Sequence, residues 1–173
     1  MPDISYVFSI IALIFMTIPS VLKGKKMTFI LILLFLGNAL MGISYLQNDG
    51  INGAVSSFFG ALTTAINFGF LLKHKNVPPW LITLYVAISI LINLWVSGGF
   101  AAESILVIGA SLAYQLGAAG KSGMQYRFWV LFNLLLWCIY DVISSSYSVL
   151  ITHSVQFAIN IVSMLIYDRK IKS

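Results

Sequence analysis

Charge is what this chain has least of. It has five acidic and ten basic residues among 173, so charged residues make up 9% of it. An ordinary soluble domain carries about 25%. The chain is also 60% hydrophobic, more apolar surface than a soluble core of this size can bury, although a bilayer can solvate it. The single cysteine, Cys138, excludes an internal disulfide and a thiolate metal cluster. One of the two histidines, His153, lies in an apolar segment, and a lone imidazole does not build a zinc site. No G-x-S-x-G elbow, H-E-x-x-H pair or phosphate loop occurs, so neither an enzyme nor a cofactor is expected. The net charge of +5 is spread over segment ends and not gathered in a patch, which argues against a nucleic-acid partner.

Long apolar runs are what the chain does have. A membrane-spanning helix needs about 17–25 mostly apolar residues. Seven segments qualify: Ile4–Leu22, Met27–Leu46, Ile51–Leu72, Trp80–Ser97, Ser104–Ala119, Tyr126–Ser144 and Tyr147–Tyr167. The fifth is short and rich in small residues, and Gly109 and Gly117 would let a neighbour approach it closely. Asn48-Asp49-Gly50 marks a turn, Pro78-Pro79 opens the fourth segment and Gly98-Gly99 ends it. Trp80, Trp95, Trp129 and Tyr147 lie near segment ends, where amphipathic rings favour the headgroup level. Met1-Pro2-Asp3 offers no basic region ahead of the first apolar run, which therefore reads as a retained helix. The expected fold is all-α and polytopic, a single membrane domain over residues 1–173.

The few charges alternate. Lys23, Lys25 and Lys26 follow the first segment, Lys73 and Lys75 the third, Lys121 and Arg127 flank the fifth-to-sixth link, and Arg169, Lys170 and Lys172 close the chain. Asp3, Asp49 and Glu103 occupy the other connections. Short loops rich in Lys and Arg stay cytoplasmic. The expected location is a bacterial inner membrane, with the N-terminus outside and the C-terminus in the cytoplasm.

Weak self-similarity runs through the chain. Gly24-Lys25 precedes the second segment and Gly120-Lys121 the sixth. Asn38 and Tyr45 are spaced as Asn133 and Tyr140 are, and Asn67 and Asn160 each precede a basic cluster. Segments one to three thus match five to seven, and the fourth links them. This implies two parallel three-helix bundles, residues 1–75 and 100–173, joined by a linker over 76–99.

Polar residues inside the spans fall on stripes at helical spacing. Asn133, Trp137, Tyr140 and Ser144 share a face of the sixth segment, with Asp141 beside Tyr140. His153, Gln156 and Asn160 share one on the seventh, and Ser56, Gly60, Thr64 and Asn67 one on the third. Asn38, Asn93 and Gln115 read as interhelical hydrogen bonds, and Ser56-x3-Gly60-x3-Thr64 as a packing seam. Ionisable groups within a span are candidate functional residues by default. Asp141 and His153 both belong near the outer ends of their segments and could pair.

From Ser111-Leu-Ala-Tyr-Gln115 through Gly120-Lys121, Phe128-Trp129 and Asn133-Leu-Leu-Leu-Trp137-Cys-Ile-Tyr140-Asp141 to Asn160, the chain resembles the YgjV-like bacterial inner-membrane proteins. The three-one-three arrangement is similar to that of the SWEET sugar transporters and the PnuC vitamin transporters. In SWEET-like proteins a tryptophan and an asparagine about sixteen residues apart flank the substrate. Trp137 matches the tryptophan, and His153 takes the place of the asparagine. The first unit has Ser44 and Gly60 there, and Pro19 corresponds to the proline of the PQ-loop pattern, followed by Ser20.

The resemblance implies a small-solute permease working by alternating access. Its substrate-binding residues would be Trp137, His153, Asn160, Gln156, Asn133, Asn67, Tyr140 and Asp141, and Pro19 would be a hinge. Its partners would be membrane lipids, a small polar solute such as a sugar, nucleoside or vitamin, and further copies of the chain. The rival expectation is a non-transporting membrane protein that serves as a structural or assembly partner.

Overall fold

The computed structural model describes residues 2–21, 27–118 and 123–167. Among them are seven α-helices and no strand: α1 (Pro2–Val21), α2 (Met27–Gln47), α3 (Ile51–Leu72), α4 (Pro79–Val96), α5 (Ala102–Ala118), α6 (Gly123–Ile143) and α7 (Tyr147–Tyr167). Lys23, Gly24, Lys25, Lys26, Gly120, Lys121, Arg169, Lys170 and Lys172 lie outside the described residues. Six helices are long and apolar enough to cross a membrane, which marks the chain as a membrane protein. The seventh, α5, is apolar but has only 17 residues. At about 1.5 Å per residue it is close to the shortest helix that spans hydrocarbon.

The short turns have a common construction. After α2, Gly50 N–H donates to Tyr45 O across left-handed Asp49; after α6, Ser146 N–H donates to Asp141 O across left-handed Ser145. Lys75 and His74 repeat the pattern after α3, and Gly99 and Gly98 after α4. Each is the six-to-one closure that satisfies orphan carbonyls at a helix C-terminus and reverses the chain abruptly. Three of the four left-handed positions are not glycine.

The helix neighbours follow one another in a closed cycle. α1 packs on α2, α2 on α3, α3 on α5, α5 on α6, α6 on α7, and α7 on α1. The remaining helix, α4, lies against α3 and α5. Gly109 and Gly117 of α5 face α6: a Cβ on them would sit 3.1 Å from Leu136 and 3.3 Å from Trp129. The outward faces carry Ile, Leu, Val and Phe, and Trp80 and Trp95 of α4 are 65% and 84% exposed. Such surface suits lipid and not water.

Polar contacts tie the cycle together. Where α1, α2 and α7 meet, Ser5 Oγ lies 3.0 Å from Ser44 Oγ and 2.8 Å from Ser148 Oγ, and Ser9 Oγ lies 2.6 Å from Ser44 Oγ. Thr152 Oγ1 donates to Ser9 O at 3.1 Å. Between α3 and α4, Ser56 Oγ donates to Asn93 Oδ1 at 3.0 Å, and Tyr85 OH donates to Asn67 Oδ1 at 3.3 Å. Hydroxyls and amides in hydrocarbon have no solvent partner, so they favour one on a neighbouring helix or on their own backbone.

Candidate functional site

A buried acidic side chain sits on α6. Asp141 is wholly buried in the last turn of the helix, and two side chains from other helices close on its carboxyl group. Tyr45 OH of α2 donates to Oδ1 at 2.5 Å, and His153 Nδ1 of α7 lies 2.7 Å from Oδ2. Asp141 and His153 therefore pair. A carboxylate inside apolar surroundings is tolerated only with such partners, and charge-assisted bonds of this length are the strong ones.

Aromatic rings pack around this pair. The Trp137 indole stacks on the His153 imidazole, with centroids 5.7 Å apart and planes 25° apart. Tyr45 lies 5.6 Å from Trp137 and 5.8 Å from Tyr140, edge to face in the second case. Tyr140 OH accepts a 2.9 Å bond from the backbone N–H of Gly53 at the start of α3. Only glycine fits at 53, because a Cβ there would lie 2.7 Å from the Tyr45 ring. The cluster joins α2 and α3 to α6 and α7 near the end of the molecule where the α2–α3 and α6–α7 turns lie.

A cavity of about 30 Å³ lies in the middle of the helix cycle. Trp137 and His153 line it together with Asn38, Ser56, Ser57, Gly60, Ser111 and Asn133, among others. At about 10–15 Å³ per water it has room for roughly two waters. Toward the other end of the molecule, Tyr114 of α5 lies across from α2 and α3. Its hydroxyl accepts from Asn38 Nδ2 at 3.2 Å and sits 2.6 Å from Thr64 Oγ1. Gln115 Nε2 donates to Thr63 Oγ1 at 3.3 Å beside it. Bonds between residues before α4 and residues after α4 thus occur on both sides of the cavity.

The residues expected to bind a solute divide into two groups. Trp137, His153 and Asn133 line the cavity, and Asn133 Nδ2 also donates to Ala110 O at 2.7 Å. Asp141 and Tyr140 stand behind Trp137 and His153 as their packing partners. Asn67, Gln156 and Asn160 do not line it. Asn67 faces α4 through Tyr85, and Asn160 Nδ2 donates to Arg127 O at 2.8 Å, bridging α7 to α6. Gln156 is buried, and its Nε2 makes no hydrogen bond to the protein.

Sequence reasoning passed over Ser57, Met16 and Met41, named Ser111 and Tyr114 without a binding role, and gave Asn38, Ser56, Gly60 and Gln115 packing roles only, although all of them line the cavity. The spacing of Asn38, Met41 and Tyr45 on α2 carried a usable signal, since these residues share one helical face. Nothing in spacing marked Tyr114, whose hydroxyl matters only because α2 and α3 bring Asn38 and Thr64 to it.

No protein-family model, no curated protein and no solved structure matches this chain.

Proposed function

We propose that the chain is a small-solute permease of the inner membrane, with all seven helices spanning and the termini placed outside and inside as the charge pattern implies. Helices α1–α3 and α5–α7 would be two parallel units that rock about the central cavity. One observation carries this reading. The polar cavity is flanked at both ends by hydrogen bonds that cross between the two units: Tyr45 to Asp141 and Gly53 to Tyr140 at one end, Asn38 and Thr64 to Tyr114 at the other. Alternating access needs two such breakable closures with a polar site between them. The neighbour pattern supports the pseudo-two-fold, since α1 on α7 and α3 on α5 exchange under it.

On this reading the present conformation is occluded. Opening either closure would enlarge the site until a solute could stack on Trp137 and bond to His153, Asn133 and Asn38. Gln156, one turn from His153 and without a protein partner for its amide N–H, would be available to the same solute.

The small size of the cavity favours a second reading, a membrane protein whose interior is simply packed. Uptake of a panel of sugars, nucleosides and vitamins into proteoliposomes separates the two. The permease reading expects saturable uptake of one class, reduced in His153→Ala at equal folded yield. Uptake no faster than in protein-free vesicles for every class would leave the structural reading.

A further inference from the structure

The Asp141–His153 pair, whose carboxylate also carries the Tyr45 closure, has one property that neither closure nor solute binding uses: two buried groups that can share a proton. We infer that this pair is a proton site, and that the permease proposed above moves its solute coupled to a proton. The inference rests on that permease reading.

Charge and position both suit the pair to hold a proton. Asp141 is wholly buried and His153 nearly so, and Nδ1 and Oδ2 are 2.7 Å apart. With one shared proton the pair is neutral, whether the proton sits on the imidazole or the carboxylate. Loss of that proton to water breaks one N–H or O–H bond and leaves a net single negative charge inside the helix cycle. No basic side chain among the described residues forms an ion pair with Asp141 apart from His153. A lone buried charge is costly unless water reaches it.

The surrounding groups do not supply a substitute. Tyr45 from α2 donates to Asp141, and Tyr140 and Cys138 share α6 with it. From α5, Glu103 acts electrostatically on Tyr140, and Tyr114 lines the cavity. These groups are neutral or negative, so none compensates the charge. From α7, His153 is itself a member of the pair.

Position then couples the proton to opening. Tyr45 belongs to the first unit, and Asp141 and His153 belong to the second. Separating the units at this end breaks the Tyr45–Asp141 bond and admits water to the carboxylate. Opening and deprotonation therefore favour each other, and closure requires the proton back. His153 also lines the cavity, so a solute that bonds to it meets the same proton.

The test uses the full chain in proteoliposomes and needs no identified solute. Ser57, which lines the cavity, is replaced by cysteine in a Cys138→Ser background, and a membrane-impermeant maleimide is added to each side in turn. Labelling is normalised to Phe100→Cys, on an exposed loop, to remove the pH dependence of thiol chemistry. Over roughly pH 5–9 the inference expects normalised labelling from one side to rise, by up to about tenfold per pH unit for a single linked proton. In Asp141→Asn, which keeps an acceptor for Tyr45 but holds no proton, the profile should be flat. His153→Gln should flatten it as well, so the test survives if one variant fails to fold, and Ser111→Cys serves as a second reporter. An equal pH response in wild type and both variants would overturn the proton inference and leave the permease standing. No labelling from either side at any pH would overturn both.

Discussion

Tyr45 OH and Asp141 Oδ1 lie 2.5 Å apart, although ninety-six positions separate them in the chain and they sit on different helices. This bond joins residues before α4 to residues after it, at a wholly buried acidic side chain. It also makes the two substitutions at 141 unequal. Asp141→Asn retains an acceptor for Tyr45. Asp141→Ala leaves the Tyr45 hydroxyl and the His153 Nδ1 unpaired, at about 1–3 kcal/mol for each buried group. Thermal unfolding in detergent should therefore show Ala well below Asn. Equal melting temperatures would mean that the bond is not formed.

Gly53 admits the Tyr45 ring at contact distance and offers its N–H to Tyr140. Gly53→Ala should destabilise the fold by about 1–3 kcal/mol, the usual cost of overpacking. Gly69, where a Cβ meets nothing within 4 Å, is the control. Gly69→Ala should be neutral or slightly stabilising, since it lies inside α3. The same melting experiment compares the two.

Gln156 distinguishes a solute site from a packed interior. Its buried Nε2 has no protein partner, which is costly for stability. Gln156→Met keeps the volume and removes the orphan donor. The melting temperature should rise, by the equivalent of roughly 1 kcal/mol. Uptake of whichever solute the panel identifies should fall. A rise in stability with unchanged uptake would take Gln156 out of the site.

Orientation follows from charge placement. In a Cys138→Ser background, Phe100→Cys lies between α4 and α5, and Asn76→Cys lies between α3 and α4 beside Lys73 and Lys75. Both positions are exposed. In intact cells an impermeant thiol reagent should label the first and spare the second. The reverse pattern would invert the orientation.

The helices were legible in the sequence because apolar runs of spanning length have few other uses. For α3 and α7 the sequence-based bounds coincide with the structure. Elsewhere the ends differ for physical reasons. The α4 helix begins at Pro79, because a proline at the first helical position has no N–H to lose. The α6 helix begins at Gly123, three residues before the apolar run, because a helix can start in polar sequence. The polar stripe of α6 and the His153 end of the α7 stripe were visible from their spacing. Which neighbour each polar group would meet was not. Asn67 shares a face with Thr64, yet it turns to Tyr85 of α4 while Thr64 reaches Tyr114 of α5. Depth and azimuth relative to other helices are tertiary quantities, and helical periodicity does not contain them. The left-handed residues His74 and Ser145 were hidden likewise, since glycine is the usual signal and neither is glycine, whereas Asp49 lies in the turn that Asn48-Asp49-Gly50 marked.

The central claim is that two units move against each other around the cavity, and a distance across the Tyr45–Asp141 closure tests it most directly. Leu46 of α2 and Ile143 of α6 are both exposed near that end and accept spin labels without disturbing the closure. Electron–electron double resonance in lipid nanodiscs should give two separated distance populations in wild type. Asp141→Ala, which removes the closure, should shift weight to the longer one. A single narrow distance, unchanged in Asp141→Ala, would contradict the account and leave a rigid, packed membrane protein.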